Sequence, residues 1–468
     1  MHLFVSDYGQ MTGRAAKSGL PSRTSPIGNR AQAESLPYTT IQDKPTQFDL
    51  DHCVHCGLCL NACPTYRELG VEMDSPRGRV YQMAQVSTGA AAINPSYIEH
   101  IDLCLACRAC ETACPSGVQY GRLVEAARAE IESSIHRPLR TRMLRHLVFH
   151  RLLPSRMALR LAGTGMYLYR KLGIRKLARA VGLLRGRLGQ LDSIAPNAEP
   201  PFFFRFYGKT LRPKGKPRYR VALLGGCIAN ISFARLNEAT VRVLLKNGCE
   251  VSIPRRQTCC GALHVHAGVR DQARSLARRN IDGLLDSGYD AIITNAAGCG
   301  STLKEYGELL EHDPAYAARA REFSALVKDV NEFLASIELN PELSELPLTV
   351  TYQDSCHLAH GQKIRAAPRK LLRAIPGLVF REMPLSDHCC GSAGIYNVLH
   401  TDMAMSLLTK KIDLVHGTRA TVVATANPGC MLQLEAGVRK AGLSIRVAHV
   451  VELLDEAYRN AYKKLSND

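Results

Sequence analysis

An α-helical, cysteine-ligated domain followed by two repeated α/β cysteine-rich (Cys-Cys-Gly) domains is the fold class this sequence predicts. Three observations carry that prediction. The stretches "CVHCGLCLNACP" (53–64) and "CLACRACETACP" (104–115) share the pattern C-x-x-C-x-x-C-x-x-x-C-P. The segments around them have the capping residues and apolar spacing of helices. From 218 to 450 one order of features then runs twice: strand, cysteine, helix, Cys-Cys-Gly, helix, strand, cysteine.

The whole-chain numbers bound the class. With 468 residues, 17 cysteines, no tryptophan and a formal net charge of +18, the chain is long enough for two or three domains with ample core. Asp7 interrupts the opening residues before any secretory apolar segment forms. No uninterrupted apolar run reaches the roughly 18 residues of a membrane span. A cytoplasmic protein, soluble or peripheral at the inner face of the membrane, is therefore expected. In a reducing compartment clustered cysteines bind metal more often than they form disulfides. Residues 1–45 are rich in Ser, Gly, Pro and Arg and lack periodicity. A disordered tail, or an upstream start with Met11 as the true one, is expected over a transit peptide.

Residues 46–135 form the first domain. Thiolates are soft ligands suited to iron in an iron–sulfur cube. Three cysteines at three-residue spacing wrap one face of a cube, and the fourth, before a proline, is directed away from it. In two-cluster ferredoxins that fourth cysteine ligates the other cluster. Cys53, Cys56, Cys59 and Cys114 are thus assigned to one 4Fe–4S cluster, and Cys104, Cys107, Cys110 and Cys63 to a second. Zinc is the alternative, but it is usually held by two C-x-x-C pairs rather than by two such runs. The 40-residue spacer between Cys63 and Cys104 contains "SPRGRVYQMAQV", a helix with Pro in its first turn. A second helix is expected over "PSYIEHIDLCLACRACETA", and a third over "GRLVEAARAEIESSI" with Leu123, Ala126, Ala127 and Ile131 packed inward. This module resembles the α-helical ferredoxin of succinate dehydrogenase-type iron–sulfur subunits.

Residues 136–215 are a basic helical linker. Fourteen Arg and Lys fall between Arg137 and Arg187, and no Asp or Glu stands between Glu132 and Asp192. Leucines are interleaved with them. Such helices suit an anionic membrane surface, an acidic partner subunit, or a solvated linker face. No stacking platform or recognition motif accompanies the charge, so a nucleic-acid partner is excluded.

The repeats occupy 216–340 and 341–468. The first reads "RVALLGGC", "TCCG", "AIITNAAGC"; the second reads "LTVTYQDSC", "HCCG", "TVVATANPGC". The intervals between corresponding cysteines match to within one residue. Short β-branched strands alternating with helices predict parallel sheets, whose ligands bind beyond the strand carboxyl ends. Cys227, Cys259, Cys260 and Cys299 should converge in one copy, and Cys356, Cys389, Cys390 and Cys430 in the other. A further iron–sulfur centre, zinc, a catalytic thiol pair and an empty packed site are the alternatives. Gly261 and Gly391 would let backbone approach a ligand closely. "GALHVHAG" and "GSAGIYN" should then start helices. Cys249 lacks a counterpart and is expected in the core, and His357 and His360 are expected in structural roles.

"CVHCGLCLNACPTYRELGVEMDSPRGRVY", "CLACRACETACPSGVQYG", "DSCHLAHGQKIR", "CCGSAGIYN" and "NPGC" together resemble the iron–sulfur subunit of glycolate oxidase. That family lies within the wider group of paired Cys-Cys-Gly proteins related to heterodisulfide reductase. The likeness spans about residues 48–455. It implies an electron-relay subunit working with FAD-binding subunits that oxidise glycolate to glyoxylate, and often D-lactate, with electrons passing toward quinone. Relatives with a second C-x-x-C after the last strand hold non-cubane clusters. Here "GCGSTL" and "GCMLQL" offer one cysteine each. No G-x-G-x-x-G stands between strand and helix and no P-loop string is present, so a flavin site and catalytic C–H breaking are expected in a partner. The corresponding subunit of a glycerol-3-phosphate dehydrogenase and a heterodisulfide reductase-like enzyme are the competing readings.

Overall fold

The computed structural model describes residues 43–465, apart from positions 187, 190, 191, 193 and 194. The tail expected over 1–45 lies outside it as far as residue 42. Asp43 is held by Arg274 at 2.5 Å, and Lys44 by Glu130 at 3.4 Å.

In the first domain the helix Pro76–Ser87 begins where Ser75 Oγ accepts from the Gly78 amide at 3.0 Å. Asn94 caps the helix Pro95–Asp102 in the same way, its Oδ1 accepting from the Tyr97 amide at 2.9 Å. Both pack on the helix Tyr120–Ser134, with Met83, Ile101, Leu123, Val124, Ala127 and Ile131 in the core. The four residues expected on its inward face are all buried.

The second helix departs from expectation. It ends at Asp102, residues 103–108 form a loop, and only Ala109–Thr112 is helical beyond them. The reason is backbone handedness. Ala106 and Arg108 adopt φ of 51° and 63°, and His55 and Gly57 adopt 54° and 82° at the same offsets in the first run. Two left-handed residues between cysteines cannot belong to a right-handed helix.

The linker forms the helices Leu139–His146, Arg156–Lys171 and Ile174–Ala180, with a π-helical turn at Leu147–Leu152. Phe149, Leu153 and Leu159 are buried against the first repeat, while Leu139, Met143, Leu147, Leu161, Leu172 and Leu177 are exposed.

The repeats build two sheets. The first contains β1 (Lys209–Leu211), β2 (Tyr219–Leu223), β3 (Cys249–Ile253), β4 (Ala291–Thr294) and β5 (Val327–Asp329), in the order β1-β3-β2-β4-β5. The second contains β6 (Thr349–Tyr352), β7 (Val379–Arg381), β8 (Val422–Thr425) and β9 (Arg446–His449), in the order β7-β6-β8-β9. All neighbours are parallel except β1. Without β1 the two orders coincide, so the repeat read in the sequence is a repeat of topology. Val221, Leu244, Val350, Tyr352, Val422 and Leu453 join both sheets in one core, which also holds Cys249 in β3.

Candidate metal centres

The two cysteine runs fold onto each other and rim two cavities. One, of about 430 Å³, is lined by Cys53, Cys56, Cys59 and Cys114, with Cys110 also at its edge. The other, of about 290 Å³, is lined by Cys63, Cys104, Cys107 and Cys110. Each cavity therefore gathers three thiols from one run and the fourth from the other. Pro115 lines the first and Pro64 the second. Cys56 is exposed and its three companions are half-buried, whereas all four cysteines of the second set are buried.

The intervening string builds the walls. Arg77 donates from Nη1 to the His55 carbonyl at 3.2 Å and pairs with Glu72, clamping the first loop. A Cβ at Gly57 would stand 2.7 Å from Arg77 Nη1, so glycine is needed there for space as well as for φ. Arg79 is fully buried beside the second cavity. It donates to the His100 carbonyl at 2.6 Å and to Thr65 Oγ1 at 3.1 Å, and pairs with Asp74 at 3.3 Å. Burial disfavours its charge, but Cys104, Tyr120, Cys63 and Asp74 together outweigh that cost and hold the guanidinium protonated. Tyr120 donates to Cys104 Sγ at 3.6 Å, and the Ala106 amide donates to the same sulfur at 3.3 Å. Donors and a cation facing the sulfurs suit a negatively charged iron–sulfur cube, so the residues present fit the group.

In each repeat the four predicted cysteines meet. Hydrogen bonds run Cys227–Cys259–Cys260–Cys299 in the first and Cys356–Cys389–Cys390–Cys430 in the second. Cys227 is pushed well up by its hydrogen bond with Cys259 and by burial, and Cys430 by Cys390 and burial. Unmetallated, Cys227 and Cys430 stay protonated near neutrality, so metal loading there would release protons. Among the described residues no three His, Cys, Asp or Glu side chains are placed around a single metal ion. The thiols of each quartet are strung in a line instead. Gly261 and Gly391 adopt φ of 87° and 86°, but their close neighbours are Ala273 and Ala404 on the following helices. Helix packing thus requires a small residue at Gly391, and the positive φ favours glycine at both turns. The helix expected from "GALHVHAG" starts at Ala262, whereas that from "GSAGIYN" starts only at Tyr396.

His360 is structural, meeting Thr112 Oγ1 at 2.8 Å and the Asp387 carbonyl at 3.1 Å. His357 Nδ1 lies 3.5 Å from Cys356 Sγ, and its buried Nε2 has no hydrogen-bond partner. Sequence reasoning passed over Lys411, buried beside the second quartet and donating to the Leu385 carbonyl at 2.7 Å. Burial lowers it to about 8, against the pull of Cys390 and Cys389. The first repeat has Asn280 at the corresponding position, donating to the Cys259 carbonyl at 3.1 Å. The available signal was a lysine on the apolar face Leu407, Leu408, Lys411, Val415. Cys107, Cys356 and Cys389 share one buried cluster, so the second ferredoxin set and the second quartet are neighbours.

Comparison with known proteins follows this division. A 4Fe-4S dicluster domain model matches residues 49–118, and a cysteine-rich domain model matches 221–304 and 350–435. A model for the linker region of the glycolate oxidase iron–sulfur subunit matches 140–195. A probable glycolate oxidase iron–sulfur subunit from Bacillus subtilis is 39% identical over 89% of this chain and 96% of its own length. The glycolate oxidase iron–sulfur subunit of Escherichia coli is 34% identical over 86% and 93%. One subunit of the fumarate reductase (CoM/CoB) of Methanothermobacter marburgensis is 28% identical over 92% and 76%. On fold, cysteine geometry and relatedness along nearly its whole length, the chain belongs to the glycolate oxidase iron–sulfur subunit family.

Proposed function

We propose that this chain relays electrons from a flavin subunit that oxidises glycolate to glyoxylate, and also D-lactate, toward quinone. One observation carries the reading: two cavities, each rimmed by one predicted thiol quartet, lead from the surface at Cys56 to the buried neighbourhood of Cys107 and Cys389. Cys53, Cys56, Cys59 and Cys114 would hold one 4Fe–4S cluster, and Cys63, Cys104, Cys107 and Cys110 the second. Bound there, the clusters would supply single-electron transfer, which a flavin can feed. The Cys-Cys-Gly quartets are assigned as a further redox centre, with the second favoured for electrons by the buried charge of Lys411.

Exposed Val54 and Leu58 flank Cys56, and this face is assigned to the FAD-binding partner. No residue of this chain is assigned a catalytic role in C–H bond breaking. Among the described residues no helix is long and apolar enough to cross a membrane. The basic linker with its exposed leucines is assigned to the anionic inner face of the cytoplasmic membrane.

The test uses the complex drawn anaerobically from its host through this chain. Glycolate, D-lactate and glycerol-3-phosphate are added separately and cluster reduction is followed by EPR. Reduction by glycolate is expected. Reduction by glycerol-3-phosphate alone would move the chain to that dehydrogenase. Cys56→Ser should remove one 4Fe–4S signal and stop acceptor reduction while flavin reduction persists; surviving acceptor turnover would sink the relay.

A further inference from the structure

A cleft opens where the first domain meets both repeats. Its residues come from the loop 102–106, the helix face at Arg128 and Ile131, the head of the basic linker at Arg137 and Arg145, the segments after each Cys-Cys-Gly, and His357 beside Cys356. Cys104 lines this cleft and also the cavity of the second ferredoxin set. The cleft thus shares a wall residue with that cavity.

We propose that this cleft binds the headgroup of a membrane quinone, which makes it the acceptor site of the relay proposed above. Three features select that ligand. Leu105, Leu263, Ile395 and Leu399 give part of the wall an apolar surface for a flat ring, and the rest is polar, with Asp102, Arg128, Arg137 and Arg145. Histidines supply the neutral polar groups. The rings of His266 and His357 lie 5.1 Å apart, and His357 Nε2 is buried without a partner, a hydrogen-bonding atom available to a quinone carbonyl. The mouth adjoins the linker. Arg137 and Arg145 clasp Glu132 at 2.7 and 2.9 Å, and the helix between them exposes Leu139 and Met143. A ligand dissolved in a bilayer would meet the cleft at the surface assigned to that bilayer.

The chemistry balances. Reduction to quinol converts two C=O groups to C–OH, consuming two electrons and two protons. The electrons are those released by oxidation of the 2-hydroxy acid at the flavin subunit. The protons come from water. His266 Nδ1 stands 3.1 Å from Glu125 Oε1 at the edge of the cleft.

The experiment is photolabelling of the intact complex with a short-tailed azidoquinone, followed by peptide mapping. Label on the segments 102–106, 263–267 or 393–400, displaced by excess unlabelled quinone, is the expected result. Label confined to other segments or to another subunit would overturn the proposal. Binding needs no electron transfer, so labelling of the cleft stands or falls separately from the relay. Ile395→Trp, which fills the cleft, should raise KM for the quinone about ten-fold or more. Substrate-driven cluster reduction and ferricyanide turnover should be unchanged in that variant. An unaltered quinone KM in a variant retaining both would equally overturn the site.

Discussion

Arg79 is the residue on which the first domain's electrostatics turn. It is a fully buried cation whose donors are spent on a carbonyl, a hydroxyl and a carboxylate beside four thiols. Removing a buried cation favours the oxidised, less negative form of a neighbouring cluster. Arg79→Met should therefore lower the midpoint potential of the second cluster in an EPR-monitored titration, while Arg79→Lys largely retains it. Breaking this buried pair, with only His100 Nδ1 left at 2.9 Å from Asp74, should also cost about 3–5 kcal/mol of stability by denaturant unfolding. Histidines set the acid limit. Burial holds His449 and His264 at about 4, and neither is exposed. An unfolded histidine titrates near 6.5, so below that pH the unfolded chain binds protons that the folded chain refuses. Stability thus falls as pH drops from about 6.5 toward 4, each buried histidine contributing about 2 kcal/mol by about pH 5. A Tm rising with pH across that window, and a shallower rise in His449→Gln, would check it. The cysteines were legible because their spacing is their chemistry. Arg79 was not, since nothing in "SPRGR" distinguishes the arginine that turns inward from Arg77, which clamps the loop at the surface.

Elements show the same division. The strands β2, β4, β6 and β8 were readable as short β-branched runs, whereas β5 and β7 are three residues long and are strands only because a neighbour supplies their hydrogen bonds. The helix that stopped early at Asp102 carried ordinary helical residues beyond it; packing around the second cavity, not local preference, set Ala106 and Arg108 left-handed. The duplicated Cys-Cys-Gly turns give an internal control. Both glycines need a positive φ, which costs a non-glycine residue about 1–2 kcal/mol. A Cβ at Gly261 would meet Ala273 at 3.5 Å, ordinary contact, but at Gly391 it would lie 2.4 Å from the Ala404 carbonyl oxygen. Gly391→Ala should therefore destabilise by a further 1–3 kcal/mol or so beyond Gly261→Ala in denaturant titration.

Over the whole molecule the thiols run inward in space, from the surface set to the buried set and on to the second repeat, with the basic linker exposed on one flank. The repeat was visible in the sequence through matched cysteine intervals. The docking of the first domain against the second repeat was not, because Cys107 and Cys389 meet only through tertiary packing. The basic flank makes a prediction at this scale. Arg140, Arg142 and Arg151 are exposed on linker helices. Replacing all three by Gln should weaken binding to anionic vesicles by roughly two orders of magnitude at low salt, and added salt should erase most of the difference. Sedimentation with vesicles of defined charge would measure it. The gradient of exposure from Cys56 inward also sets an order of decay. Oxidation of cysteine sulfur follows access to solvent. On a bench in air, the set around Cys56 should bleach first, and the set around Cys107 should outlast it. A preparation carrying half its expected iron would then report a history of exposure, and a flavin subunit seated over Cys56, as proposed, would act as the shield that the chain by itself lacks.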